Sequence, residues 1–350
     1  MSKMLSKNID KVDMSVFIEK QEDVHACRAV AQSLREYGAV LVRDPRVDED
    51  DSTKFLNMME RYFSQPREVK MKDARPQFFY QVGVTPDFVE RPRDNSTIAH
   101  ELDTAERPVS NPSARRKDPK WRFFWRCGER PKTTDFPELN APQVVPEAFE
   151  DEWASTMNGW GGRLIDTILM ISDMLALGLG LPQTSIRDKL EFGPHLLAPT
   201  GSDLNVLADS VGTSLAGYHY DLNILTIHGK SRYPGLYIWT RTGKRIPVAV
   251  PEGYLLIQSG IQLEYLTAGD IRRGMHEVVV SKETSEAARE ARSAGGSLWR
   301  VSSTLFAHVR SDASLAPLGS YANNADPTLY PAVQAGAQVA NELKAIELAS

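Results

Sequence analysis

The sequence has little cysteine, no long apolar run and no net positive charge. Only two cysteines, Cys27 and Cys127, occur in 350 residues, which argues against a disulfide framework or a cysteine-rich zinc module. No apolar run approaches the roughly 18 residues of a membrane-spanning helix, and residues 1–8 lack the apolar stretch of a signal peptide. A formal net charge of −5 argues against a broad nucleic-acid-binding surface. We therefore expect a cytoplasmic protein without membrane or nucleic-acid partners; its oligomeric state stays open.

The first half of the chain alternates short apolar segments with helical patterns. The spacing of apolar residues predicts a strand at 14–18, a helix at 21–37, a strand at 39–42, a helix at 51–63 and a long helix at 149–181. Residues 77–146 have no clear period, but they contain an aromatic patch with an arginine at 121–125. This patch is interpreted either as ordinary core strands or as part of a substrate-binding mouth.

The second half of the chain is strand-like from residue 192 to residue 309, with Gly, Pro and Asp in the turns. Because no helices alternate with these strands, the pattern favours an antiparallel architecture over a parallel one. Residues 281–297 read as an inserted helical excursion, and residues 330–348 as a C-terminal helix with Pro331 at its first position. The fold class is therefore predicted to be mainly β with flanking helices.

Three residues of this half form a candidate metal site. His219 and Asp221 lie two positions apart in a strand-like stretch, so their side chains point the same way. His276 follows 55 positions after Asp221, just before a run of valines. Two imidazoles and one carboxylate are the facial ligand set of non-haem Fe(II), which leaves positions open for co-substrate and O₂. Side chains an odd number of positions apart on one strand point to opposite faces. His228 lies seven positions after Asp221, so it is predicted to face away from the metal.

A candidate carboxylate clamp follows the metal ligands. Arg300 and Ser302 alternate on a predicted strand, so both side chains face the same side. The planar guanidinium of an arginine binds both oxygens of a carboxylate, and a hydroxyl two residues away can donate a further hydrogen bond.

The order of His-x-Asp, a distant His and Arg-x-Ser resembles the isopenicillin N synthase-like branch of the 2-oxoglutarate/Fe(II)-dependent oxygenase superfamily. Residues 233–239, 251–260 and 263–269 resemble further segments of that branch. The resemblance implies a double-stranded β-helix, or jelly-roll, core. It also implies that His219, Asp221 and His276 hold Fe(II), that Arg300 and Ser302 bind 2-oxoglutarate, and that O₂ is the oxidant. Two departures stand out. Residues 195–200 lack the tyrosine of the branch, and Arg300 follows His276 by 24 positions, a longer interval than usual.

The predicted function is an Fe(II)/2-oxoglutarate-dependent dioxygenase that hydroxylates, desaturates or cyclises a small metabolite, with a carboxylate-bearing metabolite as the expectation. Two alternatives stay open. One is an Fe(II) oxidase of the isopenicillin N synthase type, which uses no 2-oxoglutarate and holds its substrate carboxylate with Arg-x-Ser. The other is a non-catalytic barrel that binds a metal or a small acid. One structural unit is expected, with an N-terminal region at 1–190, a metal-binding core at 191–312 and a C-terminal helix at 313–350.

Overall fold

The structure is a computed structural model that describes residues 9–114 and 116–348; residues 1–8, where no signal peptide is predicted, lie outside the described residues. The strands are β1 (Lys11–Asp13), β2 (Ala39–Arg43), β3 (Gly83–Thr85), β4 (Trp121–Cys127), β5 (His195–Leu197), β6 (Thr200–Asp203), β7 (Ser214–His219), β8 (Leu225–His228), β9 (Leu236–Trp239), β10 (Arg245–Val248), β11 (Leu255–Ser259), β12 (His276–Val279), β13 (Trp299–Ser302) and β14 (Thr304–Ala307). The helices are α1 (Ser15–Lys20), α2 (Val24–Tyr37), α3 (Glu49–Phe63), α4 (Arg67–Met71), α5 (Ser96–His100), α6 (Trp153–Gly178), α7 (Arg187–Leu190), α8 (Leu204–Leu207), α9 (Ile261–Leu266), α10 (Lys282–Ser293) and α11 (Ala335–Ala345).

Two sheets form the core of the molecule. The larger has the strand order β1-β2-β11-β8-β14-β5-β4-β6-β13, with β3 beside β4, and the smaller has the order β10-β9-β12-β7. All pairs are antiparallel except β1 with β2, as the strand-rich pattern without alternating helices predicts. The expected fold class, mainly sheet with flanking helices, is confirmed.

Alternation along the strands divides the core from a cavity. In β13 and β14 the odd-numbered residues Val301, Leu305 and Ala307 join the hydrophobic core. The even-numbered residues of the same strands line a cavity that side chains from both sheets enclose; they are Arg300, Ser302, Thr304 and Phe306. Because side chains on a strand point to opposite faces in turn, one run of sequence supplies both the apolar layer and the polar site.

Helices α2, α3 and α6 cover the other face of the larger sheet. Asp23 begins α2 by accepting a hydrogen bond from the backbone N–H of Ala26, and Gly38 ends it in a left-handed conformation with φ of 61°. α6 buries an apolar stripe that includes Trp153, Met157 and Leu164. The predicted long helix at 149–181 is therefore confirmed with shorter ends, and its Met and aromatic residues are core.

Two predicted elements differ from the structure at their ends. The strand predicted at 14–18 is wrong, because strand pairing with β2 ends at Asp13 and α1 begins at Ser15, whose backbone N–H donates to the Asp13 carboxylate. The C-terminal helix begins at Ala335 and not at Pro331. Residues just before it are held extended, since the Val333 carbonyl accepts from the backbone N–H of Leu315 and Gln334 bridges to Ser314.

The larger sheet crosses the first boundary of the predicted domain division. β2 pairs with β11, and β4 pairs with β5 and β6, so strands from before and after residue 190 share one sheet. The division at 190 and 312 stays a prediction. In the part of the chain that the structure describes, no helix combines the length and apolar character needed to cross a membrane.

Candidate metal centre and its cavity

His219, Asp221 and His276 converge at one point between the two sheets. His219 is the last residue of β7 and His276 the first of β12, and antiparallel pairing places the two opposite each other. Asp221 Oδ1 lies 3.9 Å from His219 Nε2 and 3.8 Å from His276 Nε2. One potential ligand atom from each residue lies within 4.8 Å of the other two. This spacing leaves room for one metal ion between two imidazoles and a carboxylate.

Backbone and side-chain hydrogen bonds orient each of the three groups. His219 Nδ1 lies 2.5 Å from the carbonyl of Gly217, and His276 Nδ1 lies 3.2 Å from the carbonyl of Gly274. A carbonyl accepts only, so each Nδ1 carries a proton and donates, and Nε2 is the ring nitrogen left for the metal. Thr226 donates a 2.6 Å hydrogen bond to Asp221 Oδ2, which leaves Oδ1 for a metal. Such outer hydrogen bonds fix ligand orientation.

Burial and neighbouring groups shift the pKa values of His219 and Asp221 in the direction that favours metal binding. Burial, followed by the proximity of His276, lowers the pKa of His219 to about 3. Burial alone would raise the pKa of Asp221, but His276, His219 and the Thr226 hydroxyl outweigh it, so this pKa is lowered. A metal ion therefore meets neutral His219 and an ionised Asp221 at neutral pH, without having to displace a proton from either.

Arg300 and Ser302 lie on the larger sheet and line the same cavity as the triad. Arg300 is buried, and its Nε donates to the carbonyl of Pro234 at 3.2 Å. No carboxylate of the described residues forms an ion pair with it, and burial lowers the pKa of its guanidinium to about 10. Ser302 Oγ accepts from the backbone N–H of Thr200 and from the hydroxyl of Thr304, each at 3.2 Å. Within the part of the chain that the structure describes, Arg300 is thus a buried cation without a counter-ion.

The insertion before Arg300 does not displace it from the site. Residues 282–293 form α10, which leaves after β12 and returns to β13. Ser281 begins this helix with a reciprocal pair of hydrogen bonds to Thr284, and Ala288 packs into a small satellite core with Leu298. The predicted helical excursion accounts for the long interval between His276 and Arg300.

His228 is placed differently from the prediction. The stretch treated as one strand is two, β7 and β8, which belong to different sheets and are joined by a turn at residues 220–224. The alternation of side chains holds only within one strand and is interrupted at that turn. The expectation that His228 faces away from the metal is therefore wrong. His228 lines the cavity, its Nδ1 is 3.0 Å from Thr304 Oγ1, and its ring centroid is 6.5 Å from that of His276.

A buried set of charges on β4 and the segments beside it was not predicted as part of the site. Arg122 Nη1 lies 2.5 Å from Glu90 Oε2, and Lys120 Nζ lies 3.1 Å from Glu90 Oε1 and 2.7 Å from Asp118 Oδ2. All four line the cavity. The available signal was alternation around the aromatic patch, since Lys120, Arg122 and Phe124 share one face while Trp121 and Phe123 join the core.

The cavity has a volume of about 510 Å³, within the range of small-molecule sites. The C-terminal helix α11 contributes Glu342 to its wall, where Arg93 pairs with Glu342 at 2.7 Å and Tyr220 Oη lies 3.3 Å from it. This contact agrees with a position of α11 at the site mouth; a role as a lid stays a prediction.

Comparisons with known proteins agree with this geometry. Residues 9–148 match the family described as the N-terminal region of non-haem dioxygenases in morphine synthesis. No curated relative matches at the level of sequence. Among solved structures, a 2OG-Fe(II) oxygenase family protein from Caulobacter crescentus is 22% identical, with 96% of this chain and 98% of that chain covered and a TM-score of 0.74.

Two further structures extend the comparison. A full-length Neurospora crassa protein, solved in complex with alpha-KG, is 16% identical over 96% of both chains, with a TM-score of 0.74. The rice dioxygenase for auxin oxidation is 16% identical over 97% of both chains, with a TM-score of 0.65. The predicted jelly-roll core and the resemblance to the isopenicillin N synthase-like branch are confirmed. The chain therefore has the fold of the 2-oxoglutarate/Fe(II)-dependent oxygenases, and its residues 9–148 are similar to the N-terminal region of non-haem dioxygenases in morphine synthesis.

Proposed function

We propose that the protein is an Fe(II)- and 2-oxoglutarate-dependent dioxygenase that oxidises a small molecule. One observation carries the proposal: the His219, Asp221 and His276 triad and the unpaired, buried Arg300 line a single cavity. The donor set suits Fe(II), and a buried guanidinium without a counter-ion suits a dicarboxylate whose other end reaches the metal.

The residues of the chain divide the work of binding. His219, Asp221 and His276 would hold the iron through Nε2, Oδ1 and Nε2, with Thr226 holding Asp221 in place. Arg300 would bind the distal carboxylate of 2-oxoglutarate, with the Ser302 hydroxyl free to donate because Thr200 and Thr304 already use its acceptor capacity. Phe124, Leu196 and Phe306 form an apolar cluster that lines the cavity and excludes water. When bound, Fe(II) with 2-oxoglutarate and O₂ supplies the oxidising power for an unreactive C–H bond.

The substrate is proposed to be a small molecule because similar folds carry such ligands. Two structures of the Neurospora crassa protein hold thymine and 5-formyluracil, each with alpha-KG, and a JOX2 structure holds 2OG, Fe and JA. Whether the product is hydroxylated, desaturated or cyclised stays open. A cytoplasmic location and the oligomeric state stay predictions. The carboxylate that the sequence leads us to expect on the substrate is untested, and the charge balance of the cavity wall disfavours it.

The proposal is tested by anaerobic loading with Fe(II), followed by addition of 2-oxoglutarate and measurement of the visible metal-to-ligand charge-transfer band. We expect a band in the native protein, no band in His219→Ala, and a band in Arg300→Gln only at much higher 2-oxoglutarate concentration. His25→Ala and Arg310→Gln are matched controls outside the cavity and should behave as the native protein does.

Each other outcome selects an alternative. Iron that binds to the triad without a band, together with substrate-dependent O₂ uptake in the absence of 2-oxoglutarate, would favour the oxidase of the isopenicillin N synthase type. A native protein that does not take up Fe(II) at all would contradict the proposal and favour a non-catalytic barrel.

A further inference from the structure

We propose that the substrate is a neutral molecule with an amide-type edge, a carbonyl beside an N–H, which Arg122 and Asn95 recognise next to the metal. The inference rests on the proposed function and names the substrate class of that site. Its basis is the charge balance of the β4 wall, defined as Glu90, Asn95, Asp118, Lys120 and Arg122, all of which line the cavity.

The positive and negative charges of the β4 wall compensate one another. Its two cations, Lys120 and Arg122, face its two carboxylates, Glu90 and Asp118, at 2.5–3.1 Å. Although burial opposes ionisation of Glu90, Arg122 and Lys120 lower its pKa to about 2, so it is a carboxylate at neutral pH. A carboxylate-bearing substrate would have to lose its hydration beside Glu90 and would find no unpaired cation on this wall.

Arg300 shows what an anion site in this cavity looks like. It is as buried as Arg122, at 7% and 8% residue exposure, but among the described residues no carboxylate pairs with it. The two arginines lie near each other across the sheet, because Arg122 is opposite Thr200 and Thr200 is opposite Ser302. Among the described residues, Arg300 is thus an uncompensated arginine of the cavity, for the co-substrate carboxylate, whereas Arg122 is compensated, as are Arg93 and Arg232, and keeps donors without offering net charge.

The remaining hydrogen-bonding groups of the wall match a carbonyl and an N–H. Arg122 pairs with Glu90 through Nη1, and among the described residues its buried Nε has no hydrogen-bond partner. Arg122 therefore keeps donor capacity that Glu90 does not use. Asn95 donates through Nδ2 to the carbonyl of Tyr218 at 3.1 Å, while its Oδ1 accepts no hydrogen bond from the described residues. A donor and an acceptor of fixed polarity favour a ligand with the opposite pair.

The β4 wall lies close to the metal ligands. Asp118 Oδ1 accepts from the backbone N–H of Gly217 at 3.1 Å, and Asn95 contacts Tyr218, the residue before His219. The Arg122 guanidinium lies 4.2 Å from the centre of the Phe124 ring, and Phe124 meets Phe306 edge to face at 6.1 Å. A ligand bound by Arg122 and Asn95 would therefore rest its apolar part on these rings, beside the iron.

Three ring probes of similar size test the inference by anaerobic calorimetric titration of the protein loaded with Fe(II) and 2-oxoglutarate. Glutarimide carries the carbonyl and the N–H, 1-methylglutarimide lacks the N–H, and cyclohexanecarboxylate carries a charge. In the native protein we expect glutarimide to bind about tenfold or more tightly than either of the others, as a hydrogen bond to a charged or buried group allows. Equal binding of the two imides, or tighter binding of cyclohexanecarboxylate, would overturn the inference.

Glu90→Gln sharpens the test, since it removes the charge that compensates Arg122. This variant should bind cyclohexanecarboxylate about tenfold more tightly than the native protein does, whereas Glu147→Gln, an exposed glutamate paired with Lys72, should not. If Glu90→Gln does not fold, the three probes on the native protein still decide. A charge-transfer band without glutarimide preference contradicts this inference alone; the preference without a band contradicts the proposed function alone.

Discussion

The two ends of the cavity, at the proposed metal ligands and at Arg300, are organised in different ways. At the metal end, three groups from the smaller sheet and its adjoining turn converge. The two histidines donate hydrogen bonds to the carbonyls of Gly217 and Gly274, and Asp221 accepts one from Thr226, which orients all three. At the other end, on the larger sheet, Arg300 has one hydrogen bond to a carbonyl and, among the described residues, no counter-ion. Hydrogen bonds pre-orient the candidate ligand groups at the metal end. At the arginine end, a buried guanidinium has no counter-ion among the described residues. Substitutions should therefore act on metal binding through geometry and on 2-oxoglutarate binding through electrostatics.

The largest expected effect is at the metal end. His276→Ala removes one of two imidazoles from a three-residue set, so we expect Fe(II) affinity to fall by at least about a thousandfold and the charge-transfer band to disappear. Metal content after dialysis against a defined Fe(II) concentration measures this directly. Retention of native Fe(II) affinity by His276→Ala would show that the ion binds elsewhere and would remove the distinction between the two ends.

The next largest effect distinguishes 2-oxoglutarate binding at the arginine end from Fe(II) binding at the metal end. Arg300→Gln should raise the dissociation constant for 2-oxoglutarate by about 100-fold, because it removes the cation proposed to meet the distal carboxylate. Fe(II) affinity should stay within about twofold, since the hydrogen bond of Arg300 goes to Pro234 and to none of the three ligands. Titration of the charge-transfer band gives both constants. Loss of Fe(II) binding in this variant would contradict the independence of the two ends.

A smaller effect on Fe(II) affinity tests whether hydrogen bonds orient the candidate ligands at the metal end. Thr226→Val keeps the shape of the side chain but removes the hydrogen bond to Asp221 Oδ2. We expect Fe(II) affinity to fall about tenfold, as for other outer hydrogen bonds to metal ligands, with 2-oxoglutarate affinity of the iron-loaded protein little changed. Competition with a chelator of known affinity measures the loss. An unchanged affinity would show that packing alone orients Asp221.

The sequence is sufficient to predict which residues meet in the cavity but not how they are connected. His219 and Asp221 are separated by one residue and His276 stands before a valine run, so residue type and spacing indicated the ligands. Their arrangement depends on a turn at 220–224 that sends the chain from one sheet to the other. Counting residues along an assumed single strand cannot detect such a turn. For that reason the sequence predicts that His228 faces away from the metal. The assignment of metal and co-substrate roles to these residues stays a proposal.

The β4 wall shows a second limit of sequence reading. The sequence allows Arg122 to be part of an ordinary core strand or of a substrate-binding mouth, and it indicates no counter-ion, because the partner Glu90 lies about 30 positions earlier in a segment without periodicity. Only the fold brings Glu90 and Asp118 to Lys120 and Arg122. Charge compensation between distant segments is a tertiary property, and no local pattern reports it.

The smallest expected effect concerns stability and pH. His195 is buried and its Nδ1 accepts from the backbone N–H of His308, and burial lowers its pKa from 6.5 to about 3. Between pH 6.5 and about 3 the unfolded chain protonates this imidazole and the folded chain does not, so stability falls as the pH is lowered through that window. His195→Gln removes the titration and keeps an acceptor for the His308 N–H. Between about pH 7.5 and pH 5.5 the native protein should lose about 1 kcal/mol more unfolding free energy than the variant, measured by denaturant titration. Parallel losses would mean that His195 stays protonated or exposed in the folded state.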